Sequence, residues 1–272
     1  MWATSGVMLR MQNEPISFTD GSAYERYMGR WSRLAGDIFL DWLAPDPGWR
    51  WLDVGCGNGA FTERLLERCE PASVHGVDPS AEQLAHARAQ ACLKAVRFVE
   101  ADAMALPYPD DAFDAAVMPL VIFFVPDPGR GVAEMRRVVR AGGLVAAYAW
   151  DMTGGGFPYE LLHAEMRALG IAVPMPPSPE ASRLSALRDL WTQAGLQAVE
   201  THEISVSRRF ADFEDFWETA RGAPSAGSLL TAMPAAQRAA LRDRIWALLP
   251  VQGSGEIICS ARANAVKGRV SG

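Results

Sequence analysis

A short apolar run that ends in an aspartate and leads into three glycines constrains this chain more than any other feature. The aspartate is Asp53, Val54 follows it, the glycines stand at alternating positions from Gly55, and a helical pattern begins at Phe61. α/β proteins hold nucleotide-like ligands with a strand, a tight glycine turn and a helix start, because glycine lets the backbone turn sharply and a ligand approach closely. The letters also fit the G-x-G-x-x-A dinucleotide fingerprint, so this stretch alone leaves two ligand classes open.

Strand-like and helix-like segments alternate five times before residue 151, which predicts a parallel sheet with helices on both faces. The predicted strands are 50–54, 73–77, 96–100, 113–118 and 144–150. Right-handed crossovers place the carboxyl ends of such strands along one edge, where open α/β sheets bind their ligands. The residues at or just past these ends are Asp53, Asp78, Asp102 and Met118.

The regular alternation of strands and helices stops after Trp150. The whole pattern divides the chain into four predicted regions. We expect a helical cap over 1–45, a ligand-binding α/β core over 46–151, and an insertion over 152–182 that covers the ligand edge. Residues 183–272 would complete the sheet with further strands and helices, including a long strand over 197–210 and a last strand over 256–266.

Composition excludes several classes of protein. The chain has 272 residues and a net charge of −6 without a basic stripe, which argues against nucleic acid as the main partner. Its four cysteines form no C-x-x-C pair, which argues against a zinc site and a disulfide framework. The longest apolar run, 115–126, is too short to span a bilayer, and the first residues lack the apolar core of a signal peptide. We therefore expect a cytoplasmic protein.

Four motifs in order resemble those of the class I S-adenosylmethionine-dependent methyltransferases, in the small-molecule branch that includes the ubiquinone/menaquinone-biosynthesis type. They are LDVGCGNG (52–59), GVDPS (76–80), EADAMALPYPDDAFD (100–114) and VPDPGRGVAEMRRVVRAGG (125–143), and YERYMGRWS (24–32) also looks like a segment of this branch. The resemblance implies a doubly wound, Rossmann-like sheet of seven strands, mostly parallel, with the last strand antiparallel.

The resemblance also implies that S-adenosylmethionine binds at the ligand edge and becomes S-adenosylhomocysteine. Asp53 would face the ammonium group, and Asp78 would accept hydrogen bonds from the ribose hydroxyls. Asp102 would accept from the adenine amino group, beside the backbone N–H of Ala103. The other residues implied to contact the methyl donor are Tyr24, Arg30, Trp31, Gly55, Cys56, Gly57, Gly59, Pro79, Ser80, Met118 and Phe123.

The methyl acceptor is less defined. The segment 118–124 is apolar and supplies no acid or base, which favours a small apolar or aromatic acceptor and in-line methyl transfer. A sulfonium is already an activated leaving group, so the lack of a catalytic signature does not argue against transfer. His163 and His202 are the weak candidates for a general base. Two alternatives stay open: a non-catalytic S-adenosylmethionine-binding protein and, less favoured, a nicotinamide-dependent dehydrogenase.

Overall fold

A computed structural model describes residues 25–223 and 226–272, with side chains from Tyr27 onward. The helices are α1 (Arg30–Leu43), α2 (Ala60–Cys69), α3 (Ala81–Ala89), α4 (Pro128–Val138), α5 (Glu160–Ala168), α6 (Leu184–Gln193), α7 (Phe213–Arg221), α8 (Gly227–Ala232) and α9 (Ala235–Leu248). The strands are β1 (Arg50–Val54), β2 (Ser73–Asp78), β3 (Arg97–Glu100), β4 (Phe113–Pro119), β5 (Val139–Trp150), β6 (Gln197–Phe210) and β7 (Ile257–Arg269). A π-helical turn, Glu25–Gly29, precedes α1.

The strands form one seven-stranded sheet in the order β3-β2-β1-β4-β5-β7-β6. Strands β1 to β5 pair in parallel, and β7 runs antiparallel to β5. The predicted seven-stranded, mostly parallel sheet with an antiparallel last strand is therefore confirmed. The chain reverses its strand order beside β1, where β2 lies on one side and β4 on the other, and ligands bind at such a switch point.

Two helix starts follow from capping residues at the carboxyl edge of the sheet. The Ser80 hydroxyl accepts from the Gln83 backbone N–H at 3.3 Å and begins α3. The Asp127 carboxylate accepts from the Arg130 N–H at 3.0 Å, and a proline occupies the first turn of α4. Such caps satisfy backbone donors that a helix leaves open at its start, which is why the sequence located both helices.

A glycine pair after a helical pattern predicts the end of the helix, but this prediction is wrong for Gly142 and Gly143. Helix α4 stops at Val138, and β5 begins at the next residue. The register between β4 and β5 shifts just before Leu144, so the two glycines lie in a bulge of the strand. Gly142 has φ +73°, a conformation that glycine adopts without strain. Helix α8 was also missed by the sequence analysis.

Asp114 connects three strands at the amino-terminal edge of the sheet, opposite the switch point. Its carboxylate accepts from the Arg50 backbone N–H at 2.8 Å, from Arg50 Nε at 3.0 Å and from Arg140 Nε at 2.6 Å. Hydrogen bonds from Arg50 are the main cause that holds the pKa of this carboxyl well below its usual range. The starts of β1, β4 and β5 are joined through this one side chain.

The chain divides into two compact units. One consists of Met28–Pro158, Pro177–Ser207 and Ser260–Gly272, and it contains the switch point. The described part of the other consists of 25–27, Tyr159–Pro176 and Arg208–Cys259 without 224–225, and it contains α5, α7, α8 and α9. Within this second unit Tyr27 and Tyr159 stack at 4.3 Å, and the Tyr159 hydroxyl donates to the Tyr27 carbonyl at 2.9 Å. The predicted region boundaries stay a prediction.

Candidate functional site

The glycine turn between β1 and α2 is fixed by backbone hydrogen bonds from Gly55 and Cys56 to the Val77 carbonyl, at 2.8 Å and 3.0 Å. Gly55, Gly57 and Gly59 all have positive φ, at +76°, +52° and +88°. A Cβ atom at Gly55 would lie 2.5 Å from Val121 Cγ2, and one at Gly59 would lie 2.3 Å from Leu93 Cδ1.

Gly57 differs from the other two turn glycines because its surroundings are open. A Cβ atom at this position would meet only Gln83 Oε1, at 4.0 Å, among the described atoms. Gly55 and Gly59 are therefore required by protein packing, while the Gly57 backbone is the part of the turn that a ligand can approach.

Asp78 joins the end of β2 to the glycine turn. Its Oδ2 accepts from the Gly57 N–H at 2.9 Å, and its Oδ1 accepts from the Ser80 N–H at 2.8 Å. Burial raises the pKa of this half-buried carboxyl, and the two backbone hydrogen bonds oppose that rise. Each carboxylate oxygen has further acceptor capacity, so Asp78 can still receive two hydroxyl donors in the fixed geometry of the turn.

Asp53 is a buried carboxylate with one oxygen left open. The side chain is 0% exposed, and its Oδ2 accepts from the Thr62 hydroxyl at 2.6 Å. Its Oδ1 has no hydrogen-bond partner within the described parts of the chain. Burial raises the pKa of Asp53 to about 7, and the neighbouring charge of Asp78 contributes to the rise. A buried acceptor of this kind is stabilised by a cationic donor, so the residues present fit an ammonium group.

Asp102 follows β3, the strand next to β2. It is exposed, and its Oδ1 accepts from the Met104 N–H at 2.8 Å, which closes a turn. Helix α4 holds the same loop, because Arg137 Nη2 donates to the Leu106 carbonyl at 3.0 Å. Asp102 and the half-buried Ala103 therefore have a defined position one strand away from Asp78.

A turn with strained backbone links the end of β4 to this site. Leu120 has φ +61°, which is unusual for a residue other than glycine, and its N–H donates to the Tyr148 carbonyl at 2.7 Å. The next residue, Val121, packs directly on Gly55. Strained residues of this type cluster at functional sites, where the surrounding structure fixes them.

Comparison with known proteins agrees with this geometry. Residues 52–147 match a family model described as a methyltransferase domain, which contains the glycine turn, Asp78, Asp102 and the end of β4. Residues 52–147 are therefore similar to a methyltransferase domain. This match supports the predicted methyltransferase family for this part of the chain.

Three relatives of the methyltransferase domain illustrate the likeness. A demethylmenaquinone methyltransferase of Thermus thermophilus is 40% identical over 116 residues, which are 42% of this chain and 51% of that protein. The chloroplastic 2-methyl-6-phytyl-1,4-hydroquinone methyltransferase 2 of Oryza sativa is 43% identical over 95 residues, which are 35% of this chain and 27% of that protein. The chain thus spans about half, or less, of the length of these relatives.

The third is a solved structure, phosphoethanolamine N-methyltransferase 2 of Haemonchus contortus with phosphomonomethylethanolamine and S-adenosylhomocysteine. It has a TM-score of 0.58 at 17% identity and covers 92% of this chain and 56% of that chain. At this identity the likeness shows the fold.

Several predicted site residues of the methyltransferase domain and its flanks are buried side chains. Cys56 packs in a core cluster with Leu84, Leu93 and Phe98, and burial raises the pKa of its thiol well above the usual value. Its backbone, not its thiol, is the part available to a ligand. Met118 and Phe123 are also buried, at 0% and 4% exposed.

The remaining predicted residues differ in their surroundings. Trp31 is fully buried in α1, whereas Arg30 and Pro79 are exposed. Tyr24 lies outside the described residues. Thr62 and Val121 were missed by the sequence analysis. Thr62 lies in the first turn of α2, where its hydroxyl reaches Asp53 at the end of β1.

The candidate bases are neutral or packed side chains. Burial lowers the pKa of His163 to about 4. His202 stacks on Trp42 at 5.5 Å between ring centroids. No described group of three or more histidine, cysteine and acidic side chains is arranged to hold a metal ion. Among the described helices, none is long and apolar enough to cross a membrane.

Proposed function

We propose that this chain transfers the methyl group of S-adenosylmethionine to a small apolar or aromatic molecule by in-line displacement. One observation carries the proposal: the open Oδ1 of buried Asp53 lies at the switch point, in the same turn system as Asp78 and the open backbone of Gly57. A cationic group and a pair of hydroxyls are the ligand features that satisfy these positions together.

The chain's own residues would divide the work of holding the methyl donor. Asp53 would bind the ammonium group, Asp78 would accept from the ribose hydroxyls, and Asp102 with the N–H of Ala103 would bind the adenine. When bound, the donor supplies a methyl group already activated on a sulfonium sulfur. The protein then has to align the acceptor and exclude water, which buried Met118 and Phe123 favour.

The named relatives suggest the class of acceptor. One is named for demethylmenaquinone and another for a phytylated hydroquinone. Together with the apolar segment 118–124, this supports an aromatic ring that carries oxygen substituents. Residues 152–182 as a cover over this acceptor, and a cytoplasmic location, stay predictions.

Replacing Asp78 tests the donor site. Asp78→Ala removes the acceptor for two hydroxyls, and we expect a loss of roughly 2–4 kcal/mol in S-adenosylmethionine binding, about 30- to 1000-fold. Isothermal titration calorimetry measures this loss, and thermal unfolding confirms that the variant is folded. Asp212→Ala is the matched control, because the Asp212 carboxylate, like that of Asp78, accepts from a backbone N–H: it accepts from Asp215 at 2.9 Å, in the other unit. Unchanged affinity in folded Asp78→Ala would refute the assignment.

Two assays separate the alternatives. Incorporation of labelled methyl into a panel of hydroxylated aromatic molecules demonstrates transfer. Binding of S-adenosylmethionine without transfer to any acceptor would favour a non-catalytic binding protein. A rise in melting temperature with NAD but not with S-adenosylmethionine would instead favour a dehydrogenase.

A further inference from the structure

Two buried tryptophans near the carboxyl edge have indole N–H groups without a hydrogen-bond partner. Trp31 and Trp150 are 0% and 1% exposed, and neither Nε1 atom has a partner in the described chain. Their rings meet edge to face, with centroids 6.5 Å apart. Trp191, in the same unit, shows the usual arrangement, since its Nε1 donates to the Val145 carbonyl at 2.9 Å. Buried polar groups normally have a hydrogen-bond partner, so these two N–H donors would be stabilised by an acceptor.

Contacts within the first unit place this pair at the carboxyl edge of the sheet. Trp150 is the last residue of β5, and Trp31 lies in the first turn of α1. The Tyr148 hydroxyl donates to the Ser32 carbonyl at 3.4 Å, so the start of α1 lies over the carboxyl end of β5.

Strand order defines the direction in which the pair lies from the donor site. Strand β4 lies between β1, which leads to the glycine turn, and β5, which ends at Trp150. The donor residues Asp53, Asp78 and Asp102 follow β1, β2 and β3 on one side of β4. The indole pair lies on the other side of β4, at the end of β5.

We propose that the indole N–H groups of Trp31 and Trp150 bind an oxygen atom of the methyl acceptor. This inference rests on the proposed function and specifies its substrate: a flat, apolar aromatic molecule with a phenolic or carbonyl oxygen. Indole N–H groups only donate, and such an oxygen has two lone pairs to accept them. A site with buried donors discriminates against a ligand that lacks the matching acceptor, because the donors would stay unpaired.

The test compares two ligands of nearly equal size, 1-naphthol and 1-methylnaphthalene, which differ in the oxygen. Their binding is titrated by calorimetry in the presence and absence of S-adenosylhomocysteine, so the result does not depend on methyl transfer. We expect the wild-type protein to prefer 1-naphthol. Trp31→Phe and Trp150→Phe should each weaken 1-naphthol binding about 5- to 10-fold and leave 1-methylnaphthalene binding unchanged.

Trp51→Phe is the matched control. Trp51 is also fully buried with an unpartnered Nε1, but it lies near the amino end of β1, away from the ligand edge. This variant should bind 1-naphthol as the wild type does. Where a phenylalanine variant fails to fold, 3-benzothienylalanine at the same position retains the bicyclic ring and removes only the donor.

Equal wild-type affinity for the two ligands would overturn the inference, and so would unchanged 1-naphthol affinity in both folded variants. A separate titration with S-adenosylmethionine distinguishes this failure from that of the proposed function. If the protein binds no S-adenosylmethionine, the proposed function fails, whereas the naphthol comparison without cofactor still decides the role of the indoles.

Discussion

The affinity for S-adenosylmethionine should depend on pH through Asp53. Burial raises the pKa of this carboxyl to about 7 from an ordinary value of 3.8, so part of it is neutral near neutral pH. Only the ionised form attracts an ammonium group strongly. Affinity should therefore increase as pH rises towards 7 and level off above it, until the amino group of the ligand itself deprotonates near pH 8.

The magnitude follows from linkage. With a pKa of about 7, roughly nine-tenths of unliganded Asp53 is protonated at pH 6 and about a quarter at pH 7.5. Binding should then be about 8-fold weaker at pH 6 than at pH 7.5, and at pH 6 it should release close to one proton per ligand. For folding the sign is opposite. The raised pKa favours the folded state fully below about pH 4, and this contribution is lost as pH rises through about 7.

Calorimetry in buffers of different ionisation enthalpy measures both the affinity and the protons released. Asp53→Asn should bind more weakly and show neither effect. Thr62→Val removes a hydrogen bond that lowers the Asp53 pKa, so the midpoint should move to higher pH. Affinity that stays constant from pH 6 to pH 7.5 with no proton release would refute the role given to Asp53.

Two further predictions concern stability, and chemical denaturation checks both. Gly59→Ala should destabilise the fold by about 3 kcal/mol, because its Cβ would lie 2.3 Å from Leu93 and its φ is +88°. Gly57→Ala should cost only about 1 kcal/mol, because its Cβ would meet no close atom among the described residues and only the positive φ is unfavourable. Equal effects would contradict the packing role of Gly59. Asp114→Asn should cost about 1–2 kcal/mol at pH 7 by weakening the contacts of Arg50. Because the pKa of Asp114 is lowered, its contribution is present above about pH 4 and is lost as pH falls further, so a constant difference down to pH 2 would oppose this account.

The sequence determined the fold and the strand-end residues, because local rules fix both. Alternating strands and helices with right-handed crossovers leave few topologies, and they bring Asp53, Asp78 and Asp102 to one edge. Capping by Ser80 and Asp127 depends on neighbours within a few residues, so the starts of α3 and α4 were also predicted.

The roles of individual side chains were decided by tertiary contacts. Three glycines look alike in the sequence, yet Val121 and Leu93 close two of them and leave Gly57 open. Gly142 and Gly143 resemble a helix end, but pairing of β5 with β4 takes them into a bulge.

Asp53 and the indole pair also combine a feature of the sequence with a property that only the tertiary structure decides. The sequence places the Asp53 carboxylate just before the glycine turn. Only the packed structure leaves one of its oxygens without a partner in the described chain and raises its pKa. Trp31 and Trp150 are 119 positions apart in the numbering, and their contact depends on α1 lying over the end of β5. Periodicity and spacing describe neighbours along the chain, whereas burial and unpaired donors arise from residues that only folding brings together.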